Sequence, residues 1–450
     1  MDDPRHVLLG IPGVEPTTPA KLTKLSDSFE LRPERWVEKP QQVKRRVIDG
    51  NVIFELFERR GVVADFQPRP LWGLEDDRPF TVLDAKMSAA SNFMGPPDQV
   101  YKASSILWDV HIDGQDSLAD AVRHSFSLAR GGWANSEPIT LPEGRLSPWF
   151  HDNRPGLEWE PSTGHTVHNL TERFPTVLTA LFHLWTGSPA NVCATQVRIP
   201  DRGWCALERF HEAPSTVSRS FLPFHELDLE TVAGWLPKAR ELGPLPFVAV
   251  EDRGVLQVDA QMLAAALEGL HRRIVPDANR FVPKLSRMKL KKARKQATAA
   301  GLVALDGAVD AELAKTALNE ALLHFDEPSY AARLGSMLPR IQRLAPGLLG
   351  PSLEGWIQVT KDLRNVQSHG LPADDDFGEE SISRYYVLSV SMRWALRILL
   401  LREITEDDAR IRSALEESDK FMFALANIDR EKYWKDFSAY ETFLNRDATG

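Results

Sequence analysis

An arginine and a histidine near the end of a predicted helix are the residues in this chain best suited to chemistry. Arg364 precedes His369 by five positions in Arg364-Asn365-Val366-Gln367-Ser368-His369. An imidazole takes and returns a proton near neutral pH, and a guanidinium offsets charge on a phosphate. Asn365 can hydrogen-bond the phosphate or orient His369. The three side chains meet the needs of RNA cleavage by 2′-hydroxyl attack without a metal or other cofactor.

Apolar residues recur every three or four positions around this pair and predict a helix with one buried face, formed by Trp356, Val359, Leu363 and Val366. Gly370 and Pro372 then end the helix, so His369 falls in its last turn. The carbonyl end of a helix favours a cation, which suits this imidazole to proton transfer.

The spacing also sets a geometric problem, because five residues rotate by roughly 140° around an ideal helix. Arg364 and His369 share a site more easily if the helix frays, or if a second copy supplies the complementary residues across a two-fold axis. The alternative is purely structural: Arg364 pairs with Asp362 or another surface acid, and His369 only caps the helix.

Composition and charge bound the class of protein. The 450 residues are 43% hydrophobic and 26% charged, which is typical of a globular chain long enough for two or three domains. The 54 basic and 63 acidic residues give a net charge of −9, so RNA must be bound by a local basic surface. Without a secretory leader or an uninterrupted apolar span, we expect a cytoplasmic protein that makes no membrane contact.

The two cysteines, Cys193 and Cys205, flank a predicted turn at 200–203 and can face each other on a hairpin. Neither a disulfide framework nor a usual zinc pattern is present, so both are expected to be reduced.

Residues 1–250 form a predicted β-rich antiparallel region. A hairpin through Asp49-Gly50 joins Val43–Val47 to Val52–Phe57, and further strands are predicted at Phe80–Asp84, Ser105–Ile112, His124–Leu128, Val192–Ile199 and Trp204–Arg209. Helices are predicted at Thr171–Trp185 and Leu229–Leu242. The segment 131–161 shows no clear periodicity and is interpreted as a long loop or linker that can subdivide the region.

From 255 to 450 the pattern is helical throughout and predicts an all-α bundle. The predicted helices are Gln261–Ile274, Arg280–Ala300, Val309–Phe325, Pro328–Leu344, Ser352–His369, Glu379–Ile404 and Asp407–Leu425. The fold class is therefore α+β, with the β-rich part first.

The densest positive stretch lies within one of these helices. Five of its residues share one side of the predicted helix and can follow an RNA backbone: Lys284, Arg287, Lys291, Arg294 and Lys295. The alternative is a solvated helix face whose cations pair with neighbouring acids.

The segment from Arg364 to His369 resembles the Arg-X4-6-His motif of HEPN ribonucleases, in the form with Asn after Arg. Leu263–Arg273 resembles the first helix of the ApeA-like HEPN domain, and 227–248 and Tyr101–Trp108 are similar to the ApeA N-terminal region. The chain thus resembles the ApeA family of bacterial anti-phage proteins.

The resemblance implies a dimeric, metal-independent endoribonuclease that attacks host RNA, with transfer RNA as its substrate class, during phage infection. The N-terminal region would sense a phage-derived trigger or restrain the enzyme. The competing hypothesis is a catalytically inactive HEPN domain that binds RNA or protein.

Overall fold

The computed structural model describes most of the chain in two compact units, Met1–Leu236 and Pro237–Gly450. The described residues are 3–35, 37, 43–48, 51–56, 68–89, 99–128, 132–210, 220–251, 253–281, 284–305, 308–368 and 378–445. Each unit has its own hydrophobic core.

The first unit is built from antiparallel strands. They are β1 (Arg5–Gly10), β2 (Thr18–Lys24), β3 (Phe29–Pro33), β4 (Val43–Ile48), β5 (Asn51–Leu56), β6 (Arg69–Glu75), β7 (Arg78–Ala89), β8 (Val100–Ala103), β9 (Ser105–Trp108), β10 (Leu118–Ala119), β11 (Ala121–Phe126), β12 (Ile139–Leu141), β13 (Gly144–His151), β14 (Arg154–Pro161), β15 (His165–Thr166), β16 (Val192–Ile199) and β17 (Gly203–Arg209). The β-rich antiparallel prediction is confirmed.

Six of these strands close into a barrel. The order β7-β6-β1-β2-β3-β8 returns to β7, because β8 pairs with both β3 and β7. Alternate residues point inward and fill the interior, among them Leu9, Leu22, Phe29, Phe80 and Tyr101. Closure removes exposed strand edges from this part of the sheet.

The remaining strands of the large sheet continue from the barrel through β9, in the order β9-β17-β16-β11-β14-β13-β12. Here the interpretation of 131–161 as a loop or linker is wrong, because β12, β13 and β14 lie within it. Pro148 and Pro155 obscured the strand signal. The turn between β13 and β14 is made by Asp152 and Asn153, both with positive φ, as a tight hairpin requires.

Other sequence predictions in this unit fare differently. β4 and β5 pair as a hairpin as predicted, although Phe57 and the turn residues Asp49 and Gly50 lie outside the described residues. β16 and β17 also pair as predicted, but Cys205 lies opposite Val197 rather than Cys193. Both cysteines are free thiols.

The helices are α1 (Phe174–Thr186), α2 (Leu229–Leu242), α3 (Leu245–Val250), α4 (Leu256–Ile274), α5 (Arg287–Ala304), α6 (Ala311–Ala321), α7 (Tyr330–Leu344), α8 (Leu353–Ser368), α9 (Glu379–Thr405), α10 (Asp408–Glu417), α11 (Asp419–Arg430) and α12 (Ala439–Leu444). From α3 onward the described residues contain no strand, so the all-α prediction is confirmed. The single helix predicted at Asp407–Leu425 is wrong: the Ser418 hydroxyl accepts from the Phe421 amide and starts a new helix there.

α4 and α9 form the centre of the second unit. The buried residues of α4 recur at helical spacing (Ala260, Leu263, Ala264, Leu267, Leu270), and α9 is buried on most of its circumference. α7 and α8 pack on α4 and on each other, which brings their side chains to one region. Among the described residues, no helix is long and apolar enough to cross a membrane.

Candidate functional site

The motif helix α8 is fixed by its first half. Trp356 is fully buried, and its indole N–H donates to the Ser391 hydroxyl of α9 at 3.0 Å. Thr360 and Leu363 are buried on the same side of the helix. Leu363 therefore anchors the turn that carries Arg364, and the guanidinium projects beside this buried face toward α4 and α7.

Arg364 makes two contacts there. Its Nη2 donates to Glu268 Oε2 of α4 at 3.0 Å, and its guanidinium carbon lies 5.4 Å from the centroid of the Tyr330 ring on α7. The Arg364 side chain keeps 35% of its surface exposed, whereas that of Glu268 keeps 13%. Arg364 is thus oriented by two helices and still reachable by a ligand.

Arg364 does not pair with Asp362, as the purely structural alternative suggested. Asp362 is exposed and accepts hydrogen bonds from Gln358 at 2.8 and 3.0 Å, one turn earlier on its own helix. Arg364 instead pairs with an acid 96 positions away in sequence. A local surface pair therefore does not explain its placement.

Glu268 belongs to a larger charged cluster, which we call the arginine network: Glu268, Arg272, Glu327, Arg333 and Arg364. Glu268 also accepts from Arg272 at 3.0 Å and lies 3.9 Å from Arg333. Glu327 accepts from Arg272 at 2.7 Å and from Arg333 at 3.0 Å. Three guanidiniums thus share two carboxylates, which leaves the network one positive charge in excess.

Two neutral groups border the network. Arg333 donates to His271 Nδ1 at 3.3 Å, and burial, followed by the charges of Arg333 and Arg272, lowers the pKa of His271. The imidazole is therefore neutral at pH 7 and acts as an acceptor. Burial, reinforced by the charge of Glu268, raises the pKa of Tyr330, whose hydroxyl donates to the Ala264 carbonyl oxygen at 3.4 Å.

Glu327 stays ionised despite its surroundings. Burial acts to raise its pKa, but hydrogen bonds from Arg272 and His324 outweigh burial and hold the pKa below its usual value. Arg272 shows the complementary effect, because burial acts to lower its pKa while hydrogen bonds to Glu268 and Glu327 raise it. Arg272 and Glu327 thus stabilise each other's ionised forms.

The other two motif residues are less fully placed. Asn365 is half-buried, and within the described part of the chain its side chain makes no hydrogen bond. α8 extends to Ser368, and His369 lies outside the described residues. The pairing of Arg364 with His369 therefore stays a prediction.

The predicted basic helix face is only partly correct. α5 begins at Arg287 behind the Ser286 cap, so Lys284 precedes the helix, where it pairs with Asp277 at 3.1 Å. Arg294 points inward to Asp326 at 2.5 Å. Of the five residues predicted to form this face, Arg287, Lys291 and Lys295 lie on α5, are exposed and make no ion pair with the described residues.

The residues that hold Arg364 were missed at the sequence level, although Glu268 left a signal. It lies among Ala264, Leu267, Leu270 and His271, on the apolar side of an otherwise well-patterned helix. A carboxylate in that position requires a cationic partner. Nothing local in the sequence indicates that the partner is Arg364.

Metal binding has no support in the described ranges, which contain no group of three or more His, Cys, Asp or Glu side chains arranged around one point.

Helical packing that presents a partly exposed arginine of an Arg-X4-His motif agrees with the expectation of a HEPN domain in this unit. Residues 262–409 match the family model described as Apea-like HEPN, so this part of the chain is an ApeA-type HEPN domain. The match contains Arg364, His369 and every member of the arginine network. No match was found among curated proteins or solved structures.

Proposed function

We propose that the HEPN domain is a metal-independent endoribonuclease in which Arg364 and His369 act on the phosphodiester. His369 takes the proton of the 2′-hydroxyl and returns one to the leaving 5′-oxygen. Arg364 offsets the charge that develops on the phosphate, and Asn365 binds the phosphate or orients His369. The products are a 2′,3′-cyclic phosphate and a 5′-hydroxyl.

One observation carries this proposal: Arg364 is held by Glu268 yet keeps about a third of its side chain exposed. A catalytic arginine must be pre-oriented and must still reach a phosphate. The excess positive charge of the arginine network supports this role, because an incoming phosphate neutralises it.

Two copies of the chain complete the site in this proposal. Five positions on an ideal helix, the spacing of Arg364 and His369, correspond to a rotation of roughly 140°. A two-fold axis beside the helix ends would place His369 of one protomer near Arg364 of the other. The functional unit is then a homodimer.

The wider role follows from the ApeA-type domain. The proposed enzyme cleaves host RNA, with transfer RNA as the substrate class, in an abortive response to phage infection. The β-rich unit senses a phage-derived trigger or restrains the nuclease.

A second function has one observation in its favour. The Arg364 guanidinium already has a carboxylate partner and an aromatic contact, so it needs no phosphate to be satisfied. An inactive HEPN domain that binds RNA or protein is consistent with this arrangement.

Four purified proteins decide between the two functions: wild type, His369→Ala, Arg364→Ala and the control Arg430→Ala, which removes an exposed arginine of α11. Each is incubated with total bacterial RNA in EDTA after circular dichroism has shown that it is folded. The enzyme predicts discrete fragments with cyclic-phosphate ends from wild type and Arg430→Ala only.

Fragments from all four proteins would remove both motif residues from the mechanism. Absence of fragments from wild type, both alone and in extract of phage-infected cells, would favour the binding module. RNA affinity would then be expected to survive His369→Ala.

A further inference from the structure

The second unit contains a cavity of about 930 Å³ next to the arginine network. Its walls come from the last residues of α2 and α4, the segment after α4, one side of α7, and α9. Its size lies within the range of ligand-binding sites. No part of the motif helix α8 lines it.

Positive charge dominates this cavity. Six cationic side chains line it, against the two carboxylates Glu241 and Glu403: Lys238, Arg273, Arg280, Arg340, Arg343 and Arg402. This excess contrasts with the net charge of −9 for the whole chain. A local field of this sign concentrates anions.

Three of the five guanidiniums have no carboxylate partner among the described residues. Arg273 donates only to the Gly269 carbonyl oxygen at 3.2 Å, and Arg280 only to the Phe325 carbonyl oxygen at 3.4 Å. The exposed Arg343 side chain makes no ion pair in the described part of the chain. By contrast, Arg340 and Arg402 share Asp408, at 3.0 and 3.3 Å.

A chain of side-chain contacts connects the cavity to Arg364. His271 forms part of its wall and accepts a hydrogen bond from Arg333, which lies 3.9 Å from Glu268, the partner of Arg364. Glu268 and His271 are separated by only about 4.5 Å of rise along α4. The wall of the cavity at His271 therefore lies about one helical turn from the residue that holds Arg364.

A second route links the cavity to the exposed cations of α5. The Arg280 amide donates to the Asp326 carbonyl oxygen, and the Asp326 carboxylate accepts from Arg294 of α5. Asp326 thus joins the wall of the cavity at Arg280 to α5, which carries further exposed cations. The combined extent of the cavity and α5 suits a strand rather than a single anion.

We propose that this cavity is a phosphate subsite that holds the backbone of the RNA substrate beside the cleavage site, a proposal that rests on the ribonuclease function above. Arg273, Arg280 and Arg343 bind the phosphates, since a guanidinium can donate two parallel hydrogen bonds to one phosphate. The subsite supplies the local basic surface that an acidic chain needs for RNA.

The lining favours an RNA backbone over a free nucleotide. Among the described residues no Phe, Tyr or Trp side chain lines the cavity, and the ring of His271 in its wall is buried, so an exposed ring on which a base could stack is absent from this lining. A mononucleotide site needs recognition of the base, whereas a backbone site needs only charge. Binding is therefore expected to be independent of RNA sequence and strongly dependent on salt.

Binding is tested in full-length protein that carries His369→Ala, so that no cleavage occurs during the measurement. The cavity variant adds Arg273→Gln, Arg280→Gln and Arg343→Gln. The charge-matched control adds Lys315→Gln, Arg430→Gln and Lys435→Gln, which also removes three cations from the second unit. Fluorescence anisotropy with a labelled single-stranded RNA of about 12 nucleotides gives the affinity at several salt concentrations.

The cavity variant should bind more weakly than the control, with a salt slope smaller by about 2, since each lost contact to single-stranded RNA contributes about 0.7. Across a four-fold rise in salt, the parent then loses roughly 18-fold more affinity than the cavity variant. The control should keep the slope of the parent.

Equal affinities and slopes for the cavity variant and the control would overturn the proposal, as would the absence of RNA binding by the parent. Competition by AMP at concentrations far below those of inorganic phosphate would overturn it in favour of a nucleotide site. Because the nuclease is assayed separately with wild type, an inactive enzyme with an intact subsite is distinguishable from an active enzyme without one.

Discussion

Replacing Glu268 by glutamine tests whether this carboxylate holds Arg364 in its position. The substitution keeps the size and helix propensity of the side chain and removes its charge. Arg364 would then lose its carboxylate partner, while Arg272 and Arg333 would keep Glu327, the one remaining acid of the arginine network.

The burial of Glu268 and Arg364 determines how much stability the substitution should remove. Loss of one partner of a fully buried pair costs about 3–5 kcal/mol, and an exposed pair contributes about 0.2–1 kcal/mol. Glu268 is nearly buried, whereas Arg364 and Arg272 keep 35% and 50% of their side chains exposed. Glu268→Gln should therefore lower the free energy of unfolding by about 2 kcal/mol, between these limits.

A double-mutant cycle isolates the contact with Arg364. Glu268→Gln, Arg364→Ala and the double variant are unfolded in urea and followed by circular dichroism at a helix-sensitive wavelength. The combined loss should be smaller than the sum of the single losses by about 1 kcal/mol. Asp362→Asn is the control, because Asp362 contacts Gln358 and should change stability by less than about 0.5 kcal/mol.

Additive losses, within about 0.5 kcal/mol, would refute the coupling of Glu268 to Arg364. So would an Asp362→Asn variant as unstable as Glu268→Gln. If the coupling holds, Glu268→Gln should also slow RNA cleavage, since Arg364 loses the partner that orients it.

Three further predictions concern other parts of the chain. His271 has a lowered pKa in the folded protein, so its contribution to stability is complete above about pH 6.5 and declines as pH falls below that value, by at most about 1.4 kcal/mol per pH unit. In urea unfolding between about pH 7 and pH 5, the free energy of unfolding should depend less on pH in His271→Gln than in wild type. The exposed control His225→Gln should keep the pH dependence of wild type. Equal pH dependence in His271→Gln and wild type would contradict the lowered pKa of His271. Iodoacetamide should label the partly exposed Cys193 before Cys205, because burial, reinforced by Asp109, raises the pKa of Cys205 to about 11; mass spectrometry gives the order, and the reverse order would disprove it. Trp356→Ala should destabilise the second unit by about 3–5 kcal/mol, because removal of the indole leaves an unfilled space in the core. Ser391→Ala should cost about 1 kcal/mol, because it removes one hydrogen bond. Similar losses of stability in the two variants would show that packing is not what anchors α8.

Elements with a strong repeating pattern were predictable. The helical period around Trp356 and Leu363, and the β-branched alternation of Val192–Ile199, each reflect burial of one face. The segment 131–161 was not predictable in this way, because β13 and β14 contain proline and β13 exposes part of both faces. Its hairpin depends on the positive φ angles of Asp152 and Asn153, a weaker signal than a glycine turn.

Helix ends also depend on context. Lys284 carries the same charge as its neighbours on α5, but the Ser286 cap excludes it from the helix. Arg294 lies in the same basic run, yet it turns inward because Asp326 and the Phe325 ring receive it. Charge pattern alone does not distinguish a cation that meets solvent from one that meets a distant acid.

The sequence by itself determined the succession of a β-rich region and a helical bundle, and the motif that contains Arg364 and His369. Both are local properties, since they depend on periodicity and on residues a few positions apart. Only the tertiary structure decided that β8 closes a barrel, that Glu268 holds Arg364, and that arginines from separate elements converge on one cavity. Those features join residues from separate elements: strand pairing closes the barrel, and packing of α4, α7, α8 and α9 rather than local preference brings the charged residues together.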